Sequence, residues 1–566
     1  MACGSGSFLL GAYQCLLDHC LKWYAEHRPQ AHKKAVINVA PPPNVAHPPS
    51  GVHSQPGAAG PQADWRLTVD EKKRILTTHI FGVDIDPQAV EVSKLSLLLK
   101  VLEGETDQSL RMGLLTFKDR ALPNLADNIK CGNSLIGPDY FTGRLIPDAE
   151  EFARVNAFDW KREFPDAMTA GGFDCVIGNP PWGSLITPQE KEYLGAKYVN
   201  RRGEAESHLF FIEQALNLAR HGGLVGFITP NTWLSVLNSQ ELRHYLLQRA
   251  TFIEISELSK YVFADAPDIV PILVFLENRP CQRGNCLVRR STVIKIGDSN
   301  FGKAMKSCRI NQQRWKGAFA STINLALTDT VLDILKKAAK GTVKLGAVAD
   351  VVYGIKTGDN DTFVSRRRTS LHTKKALKTG ELERYSLRWA GLFLNWSPNL
   401  AGYRATAVEV PKIVVQYIRK VSLPRRIIAT LDQGGEYYPL NNYSYIVARD
   451  GGYSLAFILG LLNSKLLNFV FANTFIDYNI KPTYLAQLPI RQVDLACPKD
   501  KKLYSRMVKL VDSMLAMHKQ LASAKSEGQR GAMQRQIEAT DAEIDRLVYA
   551  LYGLTKHEIA IVEGSP

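Results

Sequence analysis

The chain reads as an α/β protein, a twisted sheet with helices on both faces, followed by a mixed α/β domain and a C-terminal helical hairpin. Three patterns in its 566 residues predict this. Residues 1–278 alternate short apolar runs of strand length with longer stretches apolar at helical spacing, as a doubly wound sheet requires. Residues 341–495 carry short β-branched and aromatic runs separated by turn residues, and residues 496–566 hold two amphipathic stretches about a polar turn. Residues 279–340 have few clear signals and are expected to bridge the two domains.

Bulk properties narrow the class. A chain this long exceeds one ordinary core, so two or three domains are expected. An apolar fraction of 45% with 22% charged residues is that of a globular protein, and no run of eighteen uninterrupted apolar residues suggests a membrane span. Met1 is followed by Ala-Cys-Gly-Ser-Gly, without the basic and apolar regions of a secretory signal. The nine cysteines form no CxxC pair and suit reduced thiols in the cytoplasm. The histidines likewise lack metal-ligand spacing, so no metal is expected. Lys and Arg exceed Asp and Glu by 15, which favours a polyanionic partner.

Taken in order, a glycine-rich turn opens the chain and Phe8 to Tyr24 is helical. Residues 28–66, rich in Pro, Ala, Gly and His, mark a disordered insertion. Ile80 to Val83 is a strand and Pro87 to Leu102 a periodic helix. Cys175 to Ile177 is a strand, Leu209 to Arg220 a helix, and Leu224 to Thr229, Phe252 to Leu258 and Val270 to Glu277 are further strands. In the second domain Lys412 to Gln416 and Tyr443 to Val447 are strands, and Leu455 to Ala472 is a helix. Lys501 to Ala524 and Gly531 to Tyr552 form the terminal hairpin.

Four segments carry chemistry. In Ala2-Cys3-Gly4-Ser5-Gly6-Ser7, the closely spaced Gly4 and Gly6 lead into a helix and let a ligand approach the backbone. In Gly82-Val83-Asp84-Ile85-Asp86-Pro87, Asp84 at a strand end suits both hydroxyls of a ribose, with Ile85 packing on a base. The alternative is that Asp84 or Asp86 caps the helix beginning at Pro87, and both roles can coexist. Asn133, in Cys131-Gly132-Asn133-Ser134, either reads the amino edge of an adenine or simply makes an Asn-Ser turn. The fourth segment is the most informative. An apolar strand ends at Gly178 and runs into Asn179-Pro180-Pro181-Trp182. Consecutive prolines have fixed φ and no N–H, so the loop is stiff. It stands where open α/β sheets bind ligands. One amide, one free proline carbonyl and one large aromatic face suit a flat substrate bearing an amino group, such as a nucleobase.

These motifs, in this order, resemble the amino-group DNA methyltransferases, specifically the adenine-specific enzymes of restriction–modification systems, including the TaqI-like and type IIG groups. The resemblance extends to Gly223-Leu-Val-Gly-Phe-Ile-Thr-Pro-Asn-Thr-Trp233, Tyr353-Gly-Ile-Lys-Thr-Gly358 and Tyr437-Tyr-Pro-Leu-Asn-Asn-Tyr443. It implies a Rossmann-like S-adenosylmethionine-dependent catalytic domain over 1–278 and a target-recognition domain over 341–495. The implied cofactor is S-adenosylmethionine and the implied partner double-stranded DNA, with a restriction endonuclease or another defence subunit as a further partner. The family's catalytic motif falls on Asn179, Pro180, Pro181 and Trp182. Its cofactor contacts fall on Ala2, Gly4, Gly6, Asp84, Ile85, Asn133 and Phe211. Trp182 and Phe263 correspond to the aromatics that sandwich a flipped-out target base.

The chain departs from the family at its start. Met1 stands where the family has Pro, and the acid and strand before it are missing, which is expected of a truncated reading frame or half of a split gene. The competing readings are a DNA-binding specificity subunit with an impaired catalytic half, or the same chemistry acting on RNA or protein glutamine. A nicotinamide enzyme is excluded for want of a hydride-transfer constellation.

Overall fold

The computed structural model describes residues 1–39, 64–105, 122–143, 148–183, 186–200, 206–258, 262–263, 269–282, 284–291, 305–318, 321–325, 328–402, 408–418, 423, 425–449, 453–475, 479–524 and 526–564. The chain divides into two compact units, Met1–Ser321 and Thr322–Pro566.

The first unit begins with helix α1 (Ser7–Glu26), followed by strand β1 (Val36–Val39), strand β2 (Asp64–Leu67), helix α2 (Val69–His79), strand β3 (Gly82–Asp84), helix α3 (Pro87–Leu102) and strand β4 (Ile129–Cys131). The ends of the insertion expected over 28–66 are paired, β1 with β2 in antiparallel register, while its middle, residues 40–63, lies outside the described residues. Helix α3 starts where an Asp-Pro pair directs it: Asp86 Oδ1 accepts from the Gln88 N–H at 2.9 Å. Tyr13, Ile75, Leu76, Leu97, Val101 and Ile129 bury the facing sides of α1, α2, α3 and β4 in one core. The buried Tyr13 hydroxyl is satisfied by the Lys72 carbonyl at 2.8 Å.

Strand β5 (Phe173–Gly178), helix α4 (Pro188–Lys197), helix α5 (Ser207–Leu218), strand β6 (Ala219–Pro230), helix α6 (Gln240–Arg249), strand β7 (Thr251–Glu257), strand β8 (Pro271–Glu277), strand β9 (Asn285–Ser291) and strand β10 (Met305–Asn311) follow. They build a six-stranded sheet in the order β10-β9-β7-β8-β6-β5, with β5 parallel to β6 and β8 antiparallel to both β6 and β7. The segment expected only to bridge, 279–340, therefore contributes two strands to this sheet, β9 parallel to β7 and β10 antiparallel to β9. Its strand signal is weak because charged residues such as Arg289 punctuate it. The alternation of buried Cys286 and Val288 beneath the half-exposed Leu287 and Arg289 is nevertheless that of a strand with one face covered.

Strands β3 and β4 form a separate parallel pair. Between β3 and β5 lies an apolar cavity of about 400 Å³, lined by Leu9, Leu16, Phe81, Val83, Val176 and Ile177 among others. Met1 is part of its lining. The Cys3 N–H reaches the Val83 carbonyl at 3.2 Å, and a Cβ at Gly178 would meet the Met1 carbonyl at 2.9 Å, so only glycine fits there.

In the second unit, Ala349–Tyr353, Tyr443–Ala448, Lys412–Gln416 and Ala429–Asp432 form an antiparallel sheet in that order. A second four-stranded sheet combines Val364–Ser365, Leu392–Leu394, Lys374–Leu377 and Tyr437–Pro439. The helix expected over Leu455 to Ala472 is two helices, Leu455–Asn463 and Lys465–Thr474, bent by 66°. Ser464 causes the break, since its hydroxyl accepts the Leu467 N–H and so starts the second helix. Asn463 exchanges hydrogen bonds with the backbone of Ala429, and Asn468 accepts the Ile427 N–H, which fastens both helices to the sheet. The terminal hairpin, Pro498–Ser523 and Glu527–Tyr552, packs on the same unit. A Cβ at Gly460 would meet Met507 Sδ at 2.7 Å, and Arg384 and Arg425 both pair with Asp541. No single described helix is long and apolar enough to cross a membrane.

Candidate active site

The strand ends of β3, β4 and β5 and the start of α5 surround a cavity of about 260 Å³, whose lining includes Ala2, Asp84, Ile85, Asn133, Pro181 and Phe211. These residues come from five segments spread over more than 200 positions, and parallel strands with helical crossovers bring them to one edge.

Asp84 is buried and already holds two backbone donors. Its Oδ2 accepts the Gly4 N–H at 2.7 Å and its Oδ1 the Asp86 N–H at 3.0 Å. Each carboxylate oxygen has further acceptor capacity, so Asp84 both ties the glycine turn to β3 and presents charge to the cavity. Gly4 and Gly6 take positive φ, 53° and 85°. They do not line the cavity; they shape the turn behind Ala2. A Cβ on Gly6 would lie 3.0 Å from Ser93 Oγ, whose hydroxyl donates to the Gly4 carbonyl at 2.8 Å. Ile85 is 47% exposed, an unusual position for a large apolar side chain and one suited to packing on a ligand.

Asn133 makes the turn: its Oδ1 accepts the Leu135 and Ile136 N–H groups at 3.0 and 3.2 Å. The acceptor foreseen for an adenine amino group is thus engaged within the chain, which leaves the Nδ2 group as the other polar end of the side chain. Gly132 before it has no room for a side chain, because a Cβ would lie 2.4 Å from the Phe158 ring.

After β5 the loop leaves Asn179 exposed, Pro180 buried and Trp182 half-buried. The Trp182 and Phe263 rings meet edge to face, with centroids 5.2 Å apart and planes at 87°. Pro181, next in the chain to Trp182, belongs to the lining of the cavity.

Sequence reasoning missed several neighbours. Ser207, the first residue of α5, donates its hydroxyl to the Pro181 carbonyl at 2.7 Å. Arg154 pairs with Glu190 at 2.7 Å on the cavity wall. Burial opposes ionisation of Glu190, but the Thr187 and Arg154 donors outweigh it and hold the carboxyl below its usual range. His208, beside Ser207, is buried, and burial lowers its pKa to about 4. A serine four residues before Phe211 on one helical face was the available signal for Ser207. Nothing local marks Arg154, whose partner lies 36 positions away.

A family model of the Eco57I restriction-modification methylase matches residues 78–263, and one of the TaqI-like C-terminal specificity domain matches residues 374–490. The chain is 27% identical over 252 residues to the type II restriction enzyme and methyltransferase RM.Eco57I of Escherichia coli, covering 44% of this chain and 21% of that protein. It is 20% identical to the putative type II restriction enzyme and methyltransferase RM.MjaORFECS2P of Methanocaldococcus jannaschii, over 85% of this chain and 49% of that one. It thus spans half or less of the length of these relatives. The type IIL restriction-modification enzyme MmeI, solved in complex with DNA, shares the fold, with a TM-score of 0.53 at 12% identity over 88% of this chain and 69% of that one. Residues 78–263 are therefore similar to the Eco57I restriction-modification methylase and residues 374–490 to the TaqI-like C-terminal specificity domain.

Proposed function

We propose that the chain is the modification part of a restriction–modification enzyme, transferring a methyl group from S-adenosylmethionine to the exocyclic amino group of adenine in double-stranded DNA. The observation that carries this reading is Pro181, which belongs at once to the Asn179–Trp182 loop and to the cavity holding Asp84 and Asn133. An amine held by the loop and a nucleoside held by the cavity would share one wall. The site residues named above are part of the proposal.

The cavity suits an adenosine-bearing cofactor in the chemistry of its lining. Asp84 offers a carboxylate for ribose hydroxyls, Ile85 and Phe211 offer apolar faces for a base, and Asn133 offers amide donors for its edge. S-Adenosylmethionine, when bound there, supplies an electrophilic methyl group on a sulfonium, which is a good leaving group.

The loop does the rest. The adenine amino group is a poor nucleophile because its lone pair is delocalised into the ring. Asn179 Oδ1 and the Pro180 carbonyl accept its two hydrogens, draw the lone pair out of conjugation with the ring and aim it at the methyl group. Neither acceptor takes the proton, which passes to solvent after transfer. Positioning and preorganised dipoles of this kind are worth on the order of 7–11 kcal/mol where orientation is good. A paired base cannot reach such a loop, so the adenine is flipped out, with Trp182 and Phe263 as its aromatic surroundings. The net charge of +15 favours the polyanion, and the 374–490 domain supplies sequence readout. A restriction endonuclease or other defence subunit is the accompanying partner, in a prokaryotic cytoplasm where the DNA lies.

The test is to incubate the protein with tritiated S-adenosylmethionine and a panel of duplexes, then digest the DNA and resolve its nucleosides. Label on N6-methyladenine at one sequence context supports the proposal; label on no adenine of any duplex removes it. The gap between β3 and β5 favours a second reading, a DNA-binding specificity module without methyl transfer. Titration calorimetry separates the two, because that module would take up no S-adenosylmethionine.

A further inference from the structure

We infer that Ser207 is a positioning residue for the Asn179–Trp182 loop, locking it to the helix that lines the cofactor cavity. The inference rests on the methyl-transfer proposal above and assigns a role that none of the motifs carries.

The loop has a particular difficulty. Pro180 and Pro181 have no N–H, so two successive residues cannot be pinned through backbone donors, and their carbonyls are the available handles. The Pro181 carbonyl receives the Ser207 hydroxyl at 2.7 Å, from a residue 26 positions later in the chain. Ser207 is 3% exposed and is the first helical residue of α5, directly after Glu206 at the cap position. Its hydroxyl reaches across to the loop.

Two consequences follow from that bond. It fixes the peptide plane between Pro181 and Trp182, and hence the direction in which the indole leaves the backbone. It also engages one of the two lone pairs of the Pro181 carbonyl, whereas the target amine is assigned to the Pro180 carbonyl. Phe211 lies four residues on, on the same face of α5, and lines the cavity together with Ser207 and Pro181. One rigid helical turn thus spans both halves of the reaction. A bound cofactor base pressing on Phe211 sets the position of Ser207, and through it the loop.

The experiment uses the full chain, with Ser207→Ala and Ser207→Thr beside the wild type, each labelled with 5-fluorotryptophan. The Trp182 fluorine resonance is assigned by its loss in Trp182→Phe. At saturating tritiated donor and duplex, Ser207→Ala should turn over at least about tenfold more slowly, with both KM values within about twofold, because misplacement of reacting groups costs rate rather than binding. Ser207→Thr keeps the hydroxyl and should stay within about threefold of wild type. The Trp182 resonance should shift or broaden in Ser207→Ala and hold its place in Ser207→Thr. A Ser207→Ala protein with wild-type kcat, or one whose loss lies in KM alone, overturns the positioning role and leaves methyl transfer standing. A wild-type chain that labels no duplex removes methyl transfer instead. The fluorine signal then decides by itself, and an unmoved Trp182 resonance in Ser207→Ala overturns the link.

Discussion

The indole of Trp182 stands edge-on to the ring of Phe263, centroids 5.2 Å apart, although 80 residues separate the two in sequence. An edge-to-face pair at the mouth of a stiff proline loop can open to admit a third ring, since base–aromatic stacking is worth about 1–3 kcal/mol. Replacing Trp182 with alanine should lower turnover on matched duplex by at least about tenfold, and by less where the target adenine is mismatched and already unstacked. The check is steady-state methylation on the two duplexes. Equal losses would argue against stacking on a flipped base.

Asp84 ties the glycine turn to β3, and the proposal gives it a second duty towards the ligand. Asp84→Asn keeps an acceptor for the Gly4 N–H but loses the charge that strengthens hydrogen bonds to ribose hydroxyls. Affinity for S-adenosylmethionine should fall by about tenfold or more, equivalent to about 1.4 kcal/mol. Calorimetry at matched temperature reads this directly, and unchanged affinity would remove Asp84 from the cofactor site.

His208 makes the first unit sensitive to acid. Burial holds its pKa near about 4, despite Glu206 Oε2 at 3.3 Å from Nδ1, so the folded chain keeps it neutral while the unfolded chain protonates it. The sign follows from linkage: as pH falls from about 6.5 to about 4, the unfolded state binds the extra proton and stability drops by roughly 2–3 kcal/mol. Urea melts across that window should show a steeper loss in the wild type than in His208→Phe. Parallel pH profiles would contradict the assignment.

In the second unit, Lys412 and Asp432 form an ion pair at 2.6 Å with exposures of 0% and 2%. Burial lowers the Lys412 pKa, and the facing carboxylate opposes that fall. Lys412→Met leaves Asp432 charged and dry, at a cost of about 3–5 kcal/mol. Removing Asp432 as well should recover little, because its carboxylate also accepts the Glu436 and Tyr437 N–H groups. Denaturant midpoints decide, and a loss under about 1 kcal/mol for Lys412→Met would show that the pair is dispensable.

Much of this architecture was legible where local chemistry is strong. Helix α3 runs from Pro87 to Leu102 as its Asp-Pro start and apolar period predict, and β5 leads into the proline loop as its apolar run and terminal glycine predict. The limits are equally physical. Strands β9 and β10 were hidden because a one-sided strand interrupted by arginines has no apolar run to detect. The break at Ser464 was hidden because the polar triplet Asn463-Ser464-Lys465 in a mostly apolar stretch also suits one continuous helix, and only the side-chain cap reveals two helices. In the site, Asp84 and the proline loop were visible as motifs, whereas Ser207, Ser93 and the Arg154–Glu190 pair act through contacts 26 to 89 positions apart. Asn133 illustrates an intermediate case: its position was legible, but the two N–H groups that occupy its oxygen depend on how the turn closes.

The central claim is that Asn179 and the Pro180 carbonyl clamp the target amine, and Asn179→Ala tests it most directly. With tritiated S-adenosylmethionine and a duplex that the wild type modifies, the variant should transfer no label to adenine while calorimetry finds its cofactor affinity within about twofold of wild type. Methyl transfer at the wild-type rate by Asn179→Ala would contradict the account.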